Sequence, residues 1–305
     1  MNKYSTIKPI ILTLSTVGLA FSSHTFASKA AILFDDFSYQ QFSDAKQHGW
    51  LQRTETGHPG VKGATWWEEG VSFHPDLLNP SNQVMRLTSK TDGTSVNTRQ
   101  TQICHQRKYF EGTYAARVKF NDTPQYGIDG DGVVQTFYTI SPLAKPLDKN
   151  YSEMDFEYLP NGGWGEENMA LFATSWETFQ LTPWQPVNAY DARRGSLQGW
   201  HVLVLQVADN KLKYYVDGEL FAEHGADVYP EVPMSINFNL WFIGEQIIQQ
   251  PSMRQYYQDV DWVYHSQNQV LDTQAVLKEV SALRANNTAF VDTVPAGKYE
   301  PYCSL

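Results

Sequence analysis

The sequence predicts an all-β fold, with two antiparallel sheets packed as a sandwich or closed as a barrel. Three observations carry this. Short runs rich in Val, Ile, Phe, Tyr and Thr recur along the chain with turn residues between them. Asp217-Gly218 separates two apolar runs, the strongest short hairpin signal in the chain. Helical spacing is confined to the tail, where Val276, Leu277, Val280 and Leu283 follow Asp272 or Thr273 as N-cap. There is no internal repeat and no low-complexity linker. Residues 28–265 therefore read as one domain, and 266–305 as a C-terminal extension packed on it.

The first strand is expected at Ile32 to Phe37, followed by a loop-rich stretch from Gly57 to Gly70 carrying Trp66-Trp67. Val71 to Phe73, Val84 to Thr88 and Thr98 to Cys104 follow as short strands. From Thr113 to Phe120 the alternation is clear: Tyr114, Ala116, Val118 and Phe120 share one face, and Thr113, Ala115, Arg117 and Lys119 the other. Gly127 to Gly132 is a turn-rich loop without the acid spacing of an EF-hand. Val133 to Thr139, Met169 to Trp176, Trp200 to Val207, Leu212 to Val216 and Glu219 to Ala222 are further strands. In Met234 to Trp241, Met234, Ile236, Phe238 and Leu240 form a core face; Ser235, Asn237, Asn239 and Trp241 form a face that can hydrogen-bond and stack. Tyr256 to Tyr264 is the last strand.

Tyr151 to Tyr158 is the stretch on which a functional reading turns. Strand alternation puts Glu153, Asp155 and Glu157 on one face and Met154, Phe156 and Tyr158 on the other. Like charges crowded on one face repel and raise at least one pKa. A solvated acidic edge would show the same pattern. Glycosidic bond cleavage, however, needs two carboxyl groups in unlike environments. The alpha carbons of Glu153 and Glu157 should lie about 13 Å apart, whereas retaining chemistry wants the carboxyls about 5–5.5 Å apart. Two long Glu side chains leaning inward over a short Asp can close most of that gap. Beyond this strand, Trp164 sits between glycines in Pro160 to Gly165, suited either to stacking on a sugar or to capping the core.

Composition narrows the partners. A net charge of −10 argues against nucleic acid and against an anionic membrane surface. Aromatics reach 14%, more than a core alone requires, and flat amphipathic rings line sugar clefts. Residues 1–27 have the pattern of an export signal, with Lys3 and Lys8 before the apolar run Ile10 to Phe21. Its cleavage would remove those two lysines, taking the charge to −12, and leave a secreted or periplasmic protein with no membrane contact. In that setting Cys104 and Cys303 can form a disulfide, with two isolated thiols as the alternative. The eight His show no zinc spacing.

Taken together, Glu153-Met154-Asp155-Phe156-Glu157 resembles the E-x-D-x-E signature of glycoside hydrolase family 16, especially its lichenase- and laminarinase-like branch. Tyr109 to Lys119, Gly199-Trp200-His201 with Lys213 to Gly218, Asn239-Leu240-Trp241 and Asp261-Trp262-Val263 are similar to other segments of that family, in the same order. The resemblance implies a β-jelly-roll with a concave sugar cleft and a retaining, endo-acting hydrolase of a β-linked polysaccharide. Glu153 would be the nucleophile, Glu157 the general acid/base and Asp155 an assisting group. Tyr138, Asn239 and Trp241 would line the cleft. Trp164 and Trp176 are added from the residues themselves, and Arg117 as the one cationic candidate on a cleft-facing pattern. No cofactor is required for the chemistry; Asp261 matches a position that helps hold a structural calcium in some relatives. A monomer acting on a neutral β-glucan (1,3 or 1,3-1,4) is the leading expectation. The competing ones are an agar- or carrageenan-type galactan hydrolase, a wall transglycosylase and a non-catalytic glycan-binding protein.

Overall fold

The computed structural model describes residue 1, residues 30–77, residues 79–300 and Cys303; the expected export signal lies outside the described residues. In chain order the elements are β1 (Ile32–Asp35), α1 (Phe42–Gln47), β2 (Leu51–Gln52), β3 (Thr65–Trp66), β4 (Val71–Pro75), β5 (Gln83–Thr91), β6 (Arg99–Cys104), β7 (Gly112–Phe120) and β8 (Val133–Ile140). They continue with β9 (Glu153–Leu159), β10 (Ala170–Gln180), β11 (Gln185–Arg194), β12 (Gly199–Ala208), β13 (Lys211–Val216), β14 (Glu219–His224), β15 (Ser235–Phe242), β16 (Arg254–Gln267), α2 (Thr273–Ala285) and β17 (Phe290–Asp292).

Two antiparallel sheets face each other. The first runs β2-β6-β15-β8-β9-β10-β11. The second runs β14-β13-β12-β7-β16, with β5 and β1 sharing the far edge of the long β16. Strand alternation fills the space between them: Met154, Phe156 and Tyr158 from β9 meet Ile236, Phe238 and Leu240 from β15 and Tyr114, Ala116 and Val118 from β7. All nine are essentially inaccessible to solvent, so the core face expected of each strand is the face observed. The β13–β14 hairpin turns at Asp217 and Gly218, both at positive φ, as a tight two-residue loop requires.

The tail is a working part of the same body. Asp272 caps α2 by accepting from Ala275 N at 2.7 Å. Val276 and Val280 of that helix pack on Phe34, Ala115, Val204 and Trp262, the outer face of the second sheet. β17 then pairs with β1, and Cys303 is disulfide-bonded to Cys104 at the end of β6, the pairing allowed by the sequence.

One long strand was not expected. β11 shows no apolar alternation, because none of its residues is buried; it edges the sheet and is wetted on both faces. The short elements α1, β2, β3 and β17 also escape sequence patterning, having too few residues to show a period.

Candidate active site

β9 is the fifth of seven strands in the first sheet, flanked by β8 and β10. Glu153, Asp155 and Glu157 stand on its outer face, opposite Ile140, Tyr138 and Thr136 of β8 and Trp176, Thr174 and Phe172 of β10. Together they floor a cavity of about 480 Å³ that crosses the strands from β6 to β11. Of the expected substrate contacts, Tyr138, Trp164, Trp176, Asn239 and Trp241 all line it.

The three acids have different surroundings. Burial pushes Glu153 up to about 7, and hydrogen bonds from Tyr151 and Asp155 hold it from going higher. The Tyr151 hydroxyl donates to Glu153 Oε2 at 2.5 Å. Asp155 is raised well above the usual carboxylate range by burial and then by the charges of Glu153 and Glu157, while the Trp176 indole opposes the rise. The interaction between Glu153 and Asp155 lowers the first and raises the second. Glu157 is raised by burial and by the charge of Glu153, with no donor opposing it. All three carboxyls are raised, but by unlike neighbours: Glu153 has donors opposing the rise, while Asp155 and Glu157 carry the charge of a neighbouring acid, the kind of difference acid/base chemistry uses.

The walls are ordered by a second layer of contacts. Thr136 Oγ1 donates to Asn239 Oδ1 at 2.6 Å, and Asn239 Nδ2 donates to Tyr138 Oη at 3.3 Å. Trp164 sits at φ 51° between glycines and meets Phe172 edge-on at 5.4 Å and Trp241 at 6.2 Å. Gly163 lies at φ 147°, where L side chains are rarely found, and a Cβ there would also crowd the methyl ends of Leu159 and Ile243, so glycine favours the turn that brings Trp164 over the cleft. Asn161 ties this turn to the Asp131 carbonyl at 3.0 Å.

Two expectations are corrected by placement. Arg117 does not face the cleft: β7 belongs to the second sheet, and its alternate face points outward. There Arg117 Nη1 donates to Asp261 Oδ2 at 2.8 Å, and its guanidinium lies 4.4 Å from the Trp200 ring centre. Asp261, the residue matched to a calcium position, is itself taken up by cations and amide. Oδ1 accepts from Arg284 Nη2 at 2.8 Å and from Asn82 Nδ2 at 2.7 Å. Burial works to raise its pKa, but Arg284, Asn82 and Arg117 outweigh it and hold the carboxyl below the usual range. Calcium seeks six to eight oxygens, and a carboxylate clamped by two guanidinium groups does not fit that need. Among the described residues no cluster of three or more acids, His or Cys offers another site.

Other residues reach the cleft without a mark in the sequence. Arg53, His58, Pro59, Gln102, Trp184, Asn188 and Tyr190 line the cavity with Cys303. Asn188 and Tyr190 lie on β11, whose residues carry no apolar alternation to mark them. Arg53 carries no local signal; it reaches the cleft through the fold alone.

Comparison with known proteins agrees with this geometry. An endo-1,3-1,4-beta-glycanase, ExoK, of Rhizobium meliloti (strain 1021) is 25% identical over 197 residues, 63% of this chain and 63% of that protein. The chain thus spans somewhat less than two thirds of the length of that relative. Among solved structures, a Bacillus licheniformis beta-glucanase superposes with TM-score 0.56 at 18% identity, covering 78% of this chain and 99% of that one. A Bacteroides ovatus family 16 endo-glucanase gives 0.58 at 16% identity, covering 75% and 98%. A laminarinase from Flavobacterium sp. UMI-01 gives 0.55 at 15%, covering 77% and 98%. Residues 64–264 match the model of the family described as glycosyl hydrolases family 16, a span that takes in every strand of the cleft floor, and the chain belongs to that family.

Proposed function

We propose that the protein is a retaining, endo-acting hydrolase of a neutral β-glucan with 1,3 or mixed 1,3-1,4 linkages, secreted by the signal at residues 1–27. The observation that carries this is the set of three carboxyls on one strand face at the floor of an aromatic cleft, with their proton affinities pulled apart by their neighbours. Glu153 attacks the anomeric carbon while Glu157 gives its proton to the departing glycosidic oxygen, leaving a glycosyl ester on Glu153. Glu157, now an anion, takes a proton from water; the hydroxide attacks the same carbon and frees Glu153. Asp155 holds its proton toward Glu153, orienting that carboxylate and accommodating its change of charge. Trp164, Trp176 and Trp241 offer faces for sugar rings, and Asn239 and Tyr138 offer polar groups for hydroxyls.

A neutral substrate is favoured by the cations near the cleft. Arg117 is outside it, and Arg53 is buried, with Nη1 given to Gln102, Nη2 to the His58 carbonyl and its plane 4.2 Å from the Trp66 ring. The similarity to the endo-1,3-1,4-beta-glycanase ExoK and to the beta-glucanase and laminarinase structures supports the same reading. The test is release of reducing ends by purified mature protein from barley-type mixed-linkage glucan, laminarin, agarose and carrageenan. Glu153→Gln and Glu157→Gln should each lower the rate on the best substrate by at least about 10³-fold; near wild-type turnover by either variant would show the roles to be misassigned.

A further inference from the structure

β6 lies beside β15 at one end of the first sheet, yet its cleft-side face is not open floor. Gln100, Gln102 and Cys104 alternate along that face and are all buried. Each is engaged by a segment from outside the sheet. Gln100 Oε1 accepts from Val61 N at 3.0 Å. Gln102 Oε1 accepts from Arg53 Nη1 at 3.1 Å, while Gln102 Nε2 donates to the Cys303 carbonyl at 2.5 Å. Cys104 is bonded covalently to Cys303. A loop from the N-terminal side and the tail from the C-terminal side thus meet over one strand, with Gln102 as the strut between them.

Both segments reach the cavity. Arg53, His58 and Pro59 line it from the loop, and Cys303 lines it from the tail. All four lie outside the family-matched span 64–264. The loop also extends along the cleft, where the His58 ring stands 5.9 Å from Phe179 at the end of β10. The tail is fixed well before Cys303: Gly297 packs so closely on the Arg107 carbonyl that a side chain there would strike it, and Lys108 Nζ donates to the Val294 carbonyl at 3.0 Å.

We propose that these two flanking segments form a stop across the β6 end of the cleft, fixing how many sugar rings can bind on that side of the reacting bond. The proposal rests on the glucan hydrolase reading. From β9 to β15 the floor is two strand spacings, about 10 Å, which admits roughly two sugar rings. A longer chain has to turn out of the groove at Gln102, so sugars beyond that point add no binding. On the β11 side the floor ends at Trp184, Asn188 and Tyr190, with no such wall among the described residues.

The test is hydrolysis of β-1,3 and mixed-linkage oligosaccharide ladders labelled at the reducing end, which maps the cut bond and gives kcat/KM for each length. In the wild type, extension on one side of the cut should stop raising kcat/KM, within about twofold, after two or three sugars. Gln102→Ala, which removes the strut, and Cys104→Ser/Cys303→Ser, which frees the tail, should move that limit outward by at least one sugar on that side only. Gains that continue with length on both sides in the wild type overturn the stop, whatever the variants do. So does an unmoved limit in both variants, provided that melting curves show them folded. If no ladder is cut, it is the hydrolase reading that has failed.

Discussion

Trp176 Nε1 donates to Asp155 Oδ2 at 3.1 Å, so the wall of the cleft is bonded to the middle acid of its floor. Trp176→Phe keeps a ring on the wall and removes the donor. The loss of about 1 kcal/mol expected for one such bond should lower kcat about fivefold. Because the ring remains, KM should change by less than about twofold. Steady-state kinetics on the preferred glucan separate the two; a raised KM with unchanged kcat would mean that the indole serves the sugar and not Asp155.

The raised carboxyls set a pH dependence. Activity needs Glu153 ionised and Glu157 protonated, so kcat/KM should rise toward pH 7 as Glu153 loses its proton and fall at higher pH as Glu157 does. Stability should move the other way. A carboxyl whose pKa is about 7 when folded and 4.5 otherwise binds more protons in the folded state between those values, so its charge costs stability as pH rises from 4.5 to about 7. Glu153→Gln should therefore melt several degrees above wild type at pH 8 and lose that advantage near pH 4. Calorimetric melts at the two pH values would check the sign.

Behind the Trp164 turn, Arg254 and Asp131 are both fully buried and bonded through two parallel contacts of 2.8 Å. Asp131→Ala strands a buried guanidinium and should cost about 3–5 kcal/mol. Adding Arg254→Met should recover much of that, because the unpaired charge goes with it. Denaturant titration of the single and double variants would show both changes.

The Cys104–Cys303 bond closes a loop of 199 residues. Reducing it removes a constraint on the unfolded chain and should lower stability by about 2–5 kcal/mol. The melting temperature should fall on addition of reductant and stay unchanged in Cys104→Ser/Cys303→Ser, which is already at the lower value.

What could be read in the sequence follows where side chains are sorted by burial. β9 and β15 have one face in the core and one in the cleft, so alternation fixes their orientation and brings Glu153, Asp155, Glu157, Asn239 and Trp241 to one surface. β7 alternates equally well, but alternation does not say which side of which sheet the polar face meets. That is why Arg117 was expected in the cleft and is found on Asp261. β11 has no buried face to leave a pattern. Arg53, His58 and Cys303 come to the cleft by long-range contacts across β6, for which no local period exists.

β11 has a consequence beyond lining the cleft. Among the described residues no strand pairs with its outer edge, so the backbone donors and acceptors of alternate residues along this ten-residue strand are open to a second chain. Pro186 lacks a backbone donor, and Asp191, Arg193 and Arg194 place charges along the strand, devices by which sheet edges resist joining. Arg193 and Asp191 also reach across to Glu219 and His224 of β14, drawing the edge toward the other sheet. The polar character that hides β11 from pattern reading is thus what guards the molecule against edge-to-edge aggregation.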